Sequence, residues 1–173
     1  MRCRAQANLT TNSVEEIGES PTYYRLPEIA PTLMVRGGPS FGVDFVRGAT
    51  AWGFRVGLGI AFAVARDPHH VLVLDGGYAY RGFDDHLGAL GASYLFTNAD
   101  SAQDVNVQPG VALSVAALGG ARIGAPAAGA RVAVAFRYFF YMLEVAYEWL
   151  ATDDDDTPAH LLVLTFAGSG VAW

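Results

Sequence analysis

From Pro31 onward the chain alternates bulky apolar residues with small or polar ones, in runs broken by turn-forming clusters. The run Ala51–Ala65 is the clearest. Trp52, Phe54, Val56, Leu58, Ile60, Phe62 and Val64 fall on one face, while Gly, Ala and a single charge, Arg55, occupy the other. A period of two makes this a strand, because in a helix the same residues would scatter around the circumference. The second face identifies the surroundings. A solvated sheet face carries Lys, Glu and Thr, whereas a face of Gly and Ala suits the crowded inside of a narrow barrel whose bulky face meets lipid.

The same alternation predicts seven more strands, at about Thr32–Val46, His70–Phe83, Leu87–Thr97, Val105–Val115, Ala130–Phe140, Tyr141–Trp149 and His160–Trp173. In the first, Gly37, Gly38 and Pro39 suggest a bulge or bend. In the fifth, Val105, Val107, Val111, Leu113 and Val115 face out. The last has no clear facing, since Leu162, Leu164 and Phe166 alternate with Leu161, Val163 and Thr165. Eight strands is an even number, as a single-chain barrel requires. With both termini in the periplasm, the turns there are Arg66–His69, Asn98–Asp104 and Phe139–Phe140. The outside loops are Arg47–Thr50, Asp84–His86, Leu118–Gly129 and Thr152–Pro158, with Leu118–Ala130 a flexible low-complexity stretch. Residues 1–29 form a polar tail, expected to be disordered, and 30–173 the transmembrane barrel.

Composition sharpens this picture. Hydrophobic residues make up 52% of the 173 and charged residues only 16%, against about 25% charge in an average soluble domain; mean hydropathy is +0.26. No apolar run reaches the roughly 18–20 residues of a membrane-spanning helix, and lipid tolerates only helices and closed barrels. A net charge of −6 argues against nucleic acid. Met1–Glu28 lacks the apolar core of a secretory signal, so the export signal is expected to have been removed, or the true start to lie upstream of Met1. Cys3 is incidental.

These features resemble the small eight-stranded outer-membrane barrels of the OmpA/OmpX class, over about Pro31–Trp173. The resemblance implies an outer-membrane location, insertion by the barrel-assembly machinery with Trp173 as the terminal aromatic it reads, lipid and lipopolysaccharide as surroundings, and a monomer. It also implies structural, adhesive, defensive or small-pore roles.

Parity turns Arg36, Arg55, Arg131 and Arg137 inward together with Asp44, Asp75, Glu144 and Glu148. A turn at Phe139–Phe140 would set Arg131 opposite Glu148, and Glu144 diagonal to Arg137. Such a balanced set reads as paired charges that plug the interior, with a narrow pore as the alternative. Asp153, Asp154, Asp155 and Asp156 could offer carboxylate oxygens to a divalent cation, although the spacing of a calcium loop is missing and a solvated acidic loop is the simpler reading. A lipid-modifying enzyme would resemble the lipid A deacylases, but Ser93, Ser114 and Ser169 have no histidine at matching spacing. Asp84, Asp85, His86 and His160 at the outer rim are the remaining acid–base or metal candidates. A soluble lipocalin-like carrier would need large residues inside, the reverse of Ala51–Ala65. The leading expectation is a non-catalytic barrel, without cofactor or metal, that acts structurally or through its outside loops.

Overall fold

The computed structural model describes residues 31–64, 67–98, 108–153 and 155–172. They form eight strands: β1 (Thr32–Asp44), β2 (Ala49–Val64), β3 (Asp67–Arg81), β4 (Asp85–Thr97), β5 (Gly110–Arg122), β6 (Ala125–Tyr138), β7 (Tyr141–Thr152) and β8 (Asp155–Ala172). Each pairs antiparallel with its sequence neighbour, and β1 pairs with β8 to close a barrel. No helix occurs among the described residues. The tail 1–29, Val105, Val107 and Trp173 lie outside them.

The register sets the barrel's shape. From Thr32 the pairing passes through Ala61, Val73, Ser93, Ser114, Ala133, Ala146 and Val163 and returns to β1 at Gly42, ten residues beyond its start. Strand number and stagger together determine tilt, here about 40°. Among the described side chains, buried and exposed positions largely alternate along each strand, with register irregularities at Ala63/Val64 and Leu150/Thr152. The last strand is thereby resolved: Leu161, Val163 and Thr165 are buried inside, while Leu162, Leu164 and Phe166 are exposed.

Several expectations need correction. The stretch Leu118–Gly129 is no loop. It is the end of β5 and the start of β6, joined by the two-residue turn Ile123–Gly124. Both turn residues have positive φ, 53° and 79°, as tight hairpins require, which glycine adopts at no steric cost. Likewise Thr152–Pro158 is mostly strand: β7 runs to Thr152 and β8 begins at Asp155 and not at His160. Phe45–Gly48 and Gly82–Asp84 complete the end away from the termini, so every connection there is short. The longest interval between described strands, from Thr97 to Gly110, lies instead at the terminal end, overturning the expected loop asymmetry. At the terminal end Asp67 and His69 already belong to β3, within the segment expected to turn. Gly37–Pro39 adds no residue to the register, which runs unbroken from Thr32 to Asp44 against β2. Only the pairing to β8 skips Gly38 and Pro39, and proline has no N–H to give to a ladder.

Candidate functional site

The inward face carries a continuous chain of opposite charges. Beginning at the far end, Arg122 bonds Asp44, and its Nη1 lies 3.5 Å from Asp85 Oδ2. Arg81 Nη1 lies 3.6 Å from the same Asp85 oxygen, and Arg81 bonds Glu148. Arg131 Nε is 3.2 Å from Glu148 Oε1, Arg131 also bonds Glu144, and Arg55 Nη1 reaches Glu144 Oε1 at 3.1 Å. Four arginines thus alternate with four carboxylates, all buried except Arg55, which is partly so. The alternation follows from electrostatics. A charge removed from water needs a close counter-charge and hydrogen bonds, so a narrow interior holds such groups only as a neutral set.

Local structure makes room for these long side chains. Asp44 ends β1 and its Oδ1 accepts from the Val46 and Arg47 amides at 2.9 and 3.1 Å, fixing the turn into β2. Inward Gly53 lies against Arg81: a Cβ there would sit 2.9 Å from Arg81 Cγ and 2.0 Å from the Tyr80 carbonyl oxygen. The Phe83 ring covers the Arg122 guanidinium at 5.6 Å. Beside the chain, Leu87, Leu118, Leu150, Leu161 and Val163 pack as one buried cluster and fill the rest of the far half.

Toward the terminal end a second pair stands apart. Arg36 Nη2 is 2.7 Å from Asp75 Oδ1, and Ser93 Oγ donates to Asp75 Oδ2 at 2.9 Å. These residues, with Arg137 and Ser169, line a cavity of about 50 Å³, room for about three or four waters.

Arg131 and Glu148 are direct cross-strand neighbours. The expected Glu144–Arg137 diagonal is not what forms, because Glu144 turns toward the far end, to Arg131 and Arg55, while Arg137 lines the cavity. Arg81, Asp85 and Arg122 are not among the interior charges that parity picks out above, Asp85 being read there as a rim candidate. Each continues the inward parity of its strand: Arg81 does so within the predicted strand His70–Phe83, while Asp85 and Arg122 fall in segments that read as loops.

The outward face is apolar. Trp52, Phe54, Val56, Leu58, Ile60 and Phe62 are all exposed, from 37% for Phe62 to 72% for Trp52. Toward each end the cross-strand pairs become aromatic. At the far end Phe41 stands opposite Trp52, Tyr80 opposite His86 and Trp149 opposite His160. At the terminal end His70 stands opposite Phe96 and Tyr138 opposite Tyr141.

Other candidates do not converge. Asp85 points inward to arginine and is unavailable at the rim. His86 on β4 and His160 on β8 are four places apart in a ring of eight strands and both face outward, so they lie on opposite sides of the barrel. His86 Nε2 is 3.6 Å from Asp84 Oδ1. Ser93 and Ser169 are buried inside, and Ser114 also faces the interior. Of the four consecutive acids, Asp153 is in the turn, Asp155 and Asp156 begin β8, and Asp154 lies outside the described residues. Among the described residues, no three His, Cys, Asp or Glu side chains are placed to hold a metal ion.

No protein-family model and no curated protein matches the chain. Among solved structures, the chain is similar to Neisserial surface protein A, at 14% identity and a TM-score of 0.43, over 80% of this chain and 95% of that one.

Proposed function

We propose that the chain is a transmembrane β-barrel of the bacterial outer membrane, non-catalytic and monomeric, whose charged interior closes it to solutes. One observation carries the reading: an apolar outer face bounded by an aromatic belt at each end. On β3 the belts are marked by His70 and Tyr80, ten residues apart. At about 3.3 Å per residue and a tilt of about 40°, that is about 25 Å along the barrel axis, the height of the apolar band of outer-membrane barrels. A solvated protein has no reason to place its largest exposed surface in such a band.

The far half, filled by the ion chain and the leucine cluster, supports a plugged interior over a pore. Short turns at the far end favour a structural role among lipid and lipopolysaccharide over contacts made by projecting loops. Delivery by the barrel-insertion machinery, with Trp173 as terminal signal, belongs to the same reading.

The chain should therefore fold only in detergent or lipid, migrate differently on gels before and after boiling, and show no steady conductance in planar bilayers. Discrete channel openings would make it a narrow pore. A folded, monodisperse protein in plain buffer would overturn the membrane reading.

A further inference from the structure

We infer that Phe83 is a fixed lid on the far mouth of the barrel, sealing the ion chain from water and salt on that side, an inference that rests on the plugged-interior reading above. Asp44 and Arg122 end β1 and β5, Arg81 ends β3, and Asp85 begins β4. Charged groups at the last inward places of their strands would ordinarily meet water, yet these four are only 0–1% exposed. Something must cover them. Their small ladder neighbours do not, since Asp44 stands opposite Ala49 and Arg122 opposite Ala125.

Phe83 is the large apolar side chain in place to do so. It lies two residues beyond Arg81 and continues the inward side of β3 into the turn Gly82–Asp84. Its ring stands 5.6 Å from the Arg122 guanidinium on β5 and packs against the leucine cluster. On the other side it reaches β1: a Cβ added at Gly42 would meet Phe83 Cε2 at 3.8 Å and Arg81 Cδ at 3.6 Å. β1 and β5 are half the ring of strands apart, so a side chain beside both lies across the mouth. The turn that carries it is braced. The Gly82 amide donates to the Trp52 carbonyl at 2.9 Å, and the Asp84 carbonyl accepts from the Ile123 amide at 3.2 Å. Asp84 itself has φ 60°, the left-handed conformation that closes three-residue hairpins. An apolar cover of this kind keeps the dielectric around the ion pairs low, which strengthens them, and keeps dissolved ions from screening them. The guanidinium gains further from the ring face above it.

The test is the salt dependence of stability in the full chain. It is read as the urea midpoint in phospholipid vesicles at about 0.1 M and about 1 M KCl, between which the screening length falls from about 10 Å to about 3 Å. Phe83→Ala should lower the midpoint, and lower it further at the higher salt, because water and ions then reach the pairs. Phe83→Leu keeps an apolar cover and should show the salt response of the unaltered chain. Where Phe83→Ala does not refold, Phe83→Val takes its place. A thiol in the cluster under the ring gives an independent reading. In a Cys3→Ser background, Leu87→Cys, at a site 0% exposed, should react with a small methanethiosulfonate about tenfold faster once Phe83→Ala is added. A Phe83→Ala deficit of equal size at both salts overturns the lid, since lost packing alone gives that result, and so does an unchanged thiol rate. Failure of the plugged-interior reading looks different: channel openings in the unaltered chain.

Discussion

Glu144 is the strut across the lumen, and its removal tests whether the ion chain holds the barrel together. It sits on β7 and joins Arg131 on β6 to Arg55 on β2, which is reached across the lumen and not through the strand ladder. Glu144→Gln keeps the shape and two hydrogen-bonding atoms but removes the charge. Arg131 keeps Glu148 at 3.2 Å. Arg55 loses the carboxylate it reaches, and an uncompensated buried charge typically costs about 3–5 kcal/mol. Because Arg55 is partly exposed and water can relieve it, the lower end of that range, about 3 kcal/mol, is expected. Arg55→Met should cost less, about 1–2 kcal/mol, because Glu144 still holds Arg131. The double variant should fall short of the sum by about 1–3 kcal/mol, the coupling range of directly contacting groups. Urea unfolding from phospholipid vesicles, followed by emission of the outward-facing Trp52 and Trp149, reads all three. Asp84→Asn, at an exposed site, is the control and should stay within about 0.5 kcal/mol. Additive single effects, or a loss below about 0.5 kcal/mol for Glu144→Gln, would refute the strut.

Two further substitutions probe the outer face and the far-end turn. Leu58→Arg, outward and midway between the belts, should destabilise the barrel in lipid by about 2–4 kcal/mol, whereas Trp52→Arg at the belt should cost about 1 kcal/mol or less for the introduced charge, apart from the lost ring contact; equal charge costs would mean that no apolar band exists. Ile123→Asn should stabilise by about 1 kcal/mol, measured as a shift in urea midpoint, because a β-branched residue is strained at φ 53° and asparagine is not; a neutral or destabilising result would show that the Ile123 side chain has a compensating contact.

Fold and facing were legible wherever chemistry differed sharply between alternate positions. In β2, large residues against glycine and alanine leave one choice of face, and in β6 and β7 Arg and Glu do the same. Legibility failed where that contrast vanished. Residues 118–129 alternate Leu, Gly, Ala and Arg with further Gly and Ala, so composition resembled a loop, although a barrel can pair such small residues on both faces. What closes that hairpin is a turn at Ile123–Gly124, and isoleucine is not a residue that announces one. β8 was ambiguous for the opposite reason: it is apolar on both faces, because its inward Leu161 and Val163 belong to the leucine cluster of the far half. Only pairing to β1 and β7 resolves which side faces in.

The same limit explains the charged interior. Parity assigns a direction to each side chain but says nothing about height along the axis, and partners in a tilted barrel are chosen by height. Glu144 and Arg137 are diagonal in register, yet they part: with strands inclined by about 40°, Glu144 extends to arginines nearer the far end and Arg137 stays beside the cavity. Arg122 and Asp44, from β5 and β1, are half the ring apart and meet because both lie at the far-end mouth. Such a pair has no sequence signature, since neither spacing nor adjacency links 44 to 122. It arises because eight strands leave a lumen narrow enough for an arginine to cross. A wider barrel with the same strands would lose these contacts and hold water in their place. Neutrality of the ion chain is therefore a property of the barrel's diameter as much as of its residues.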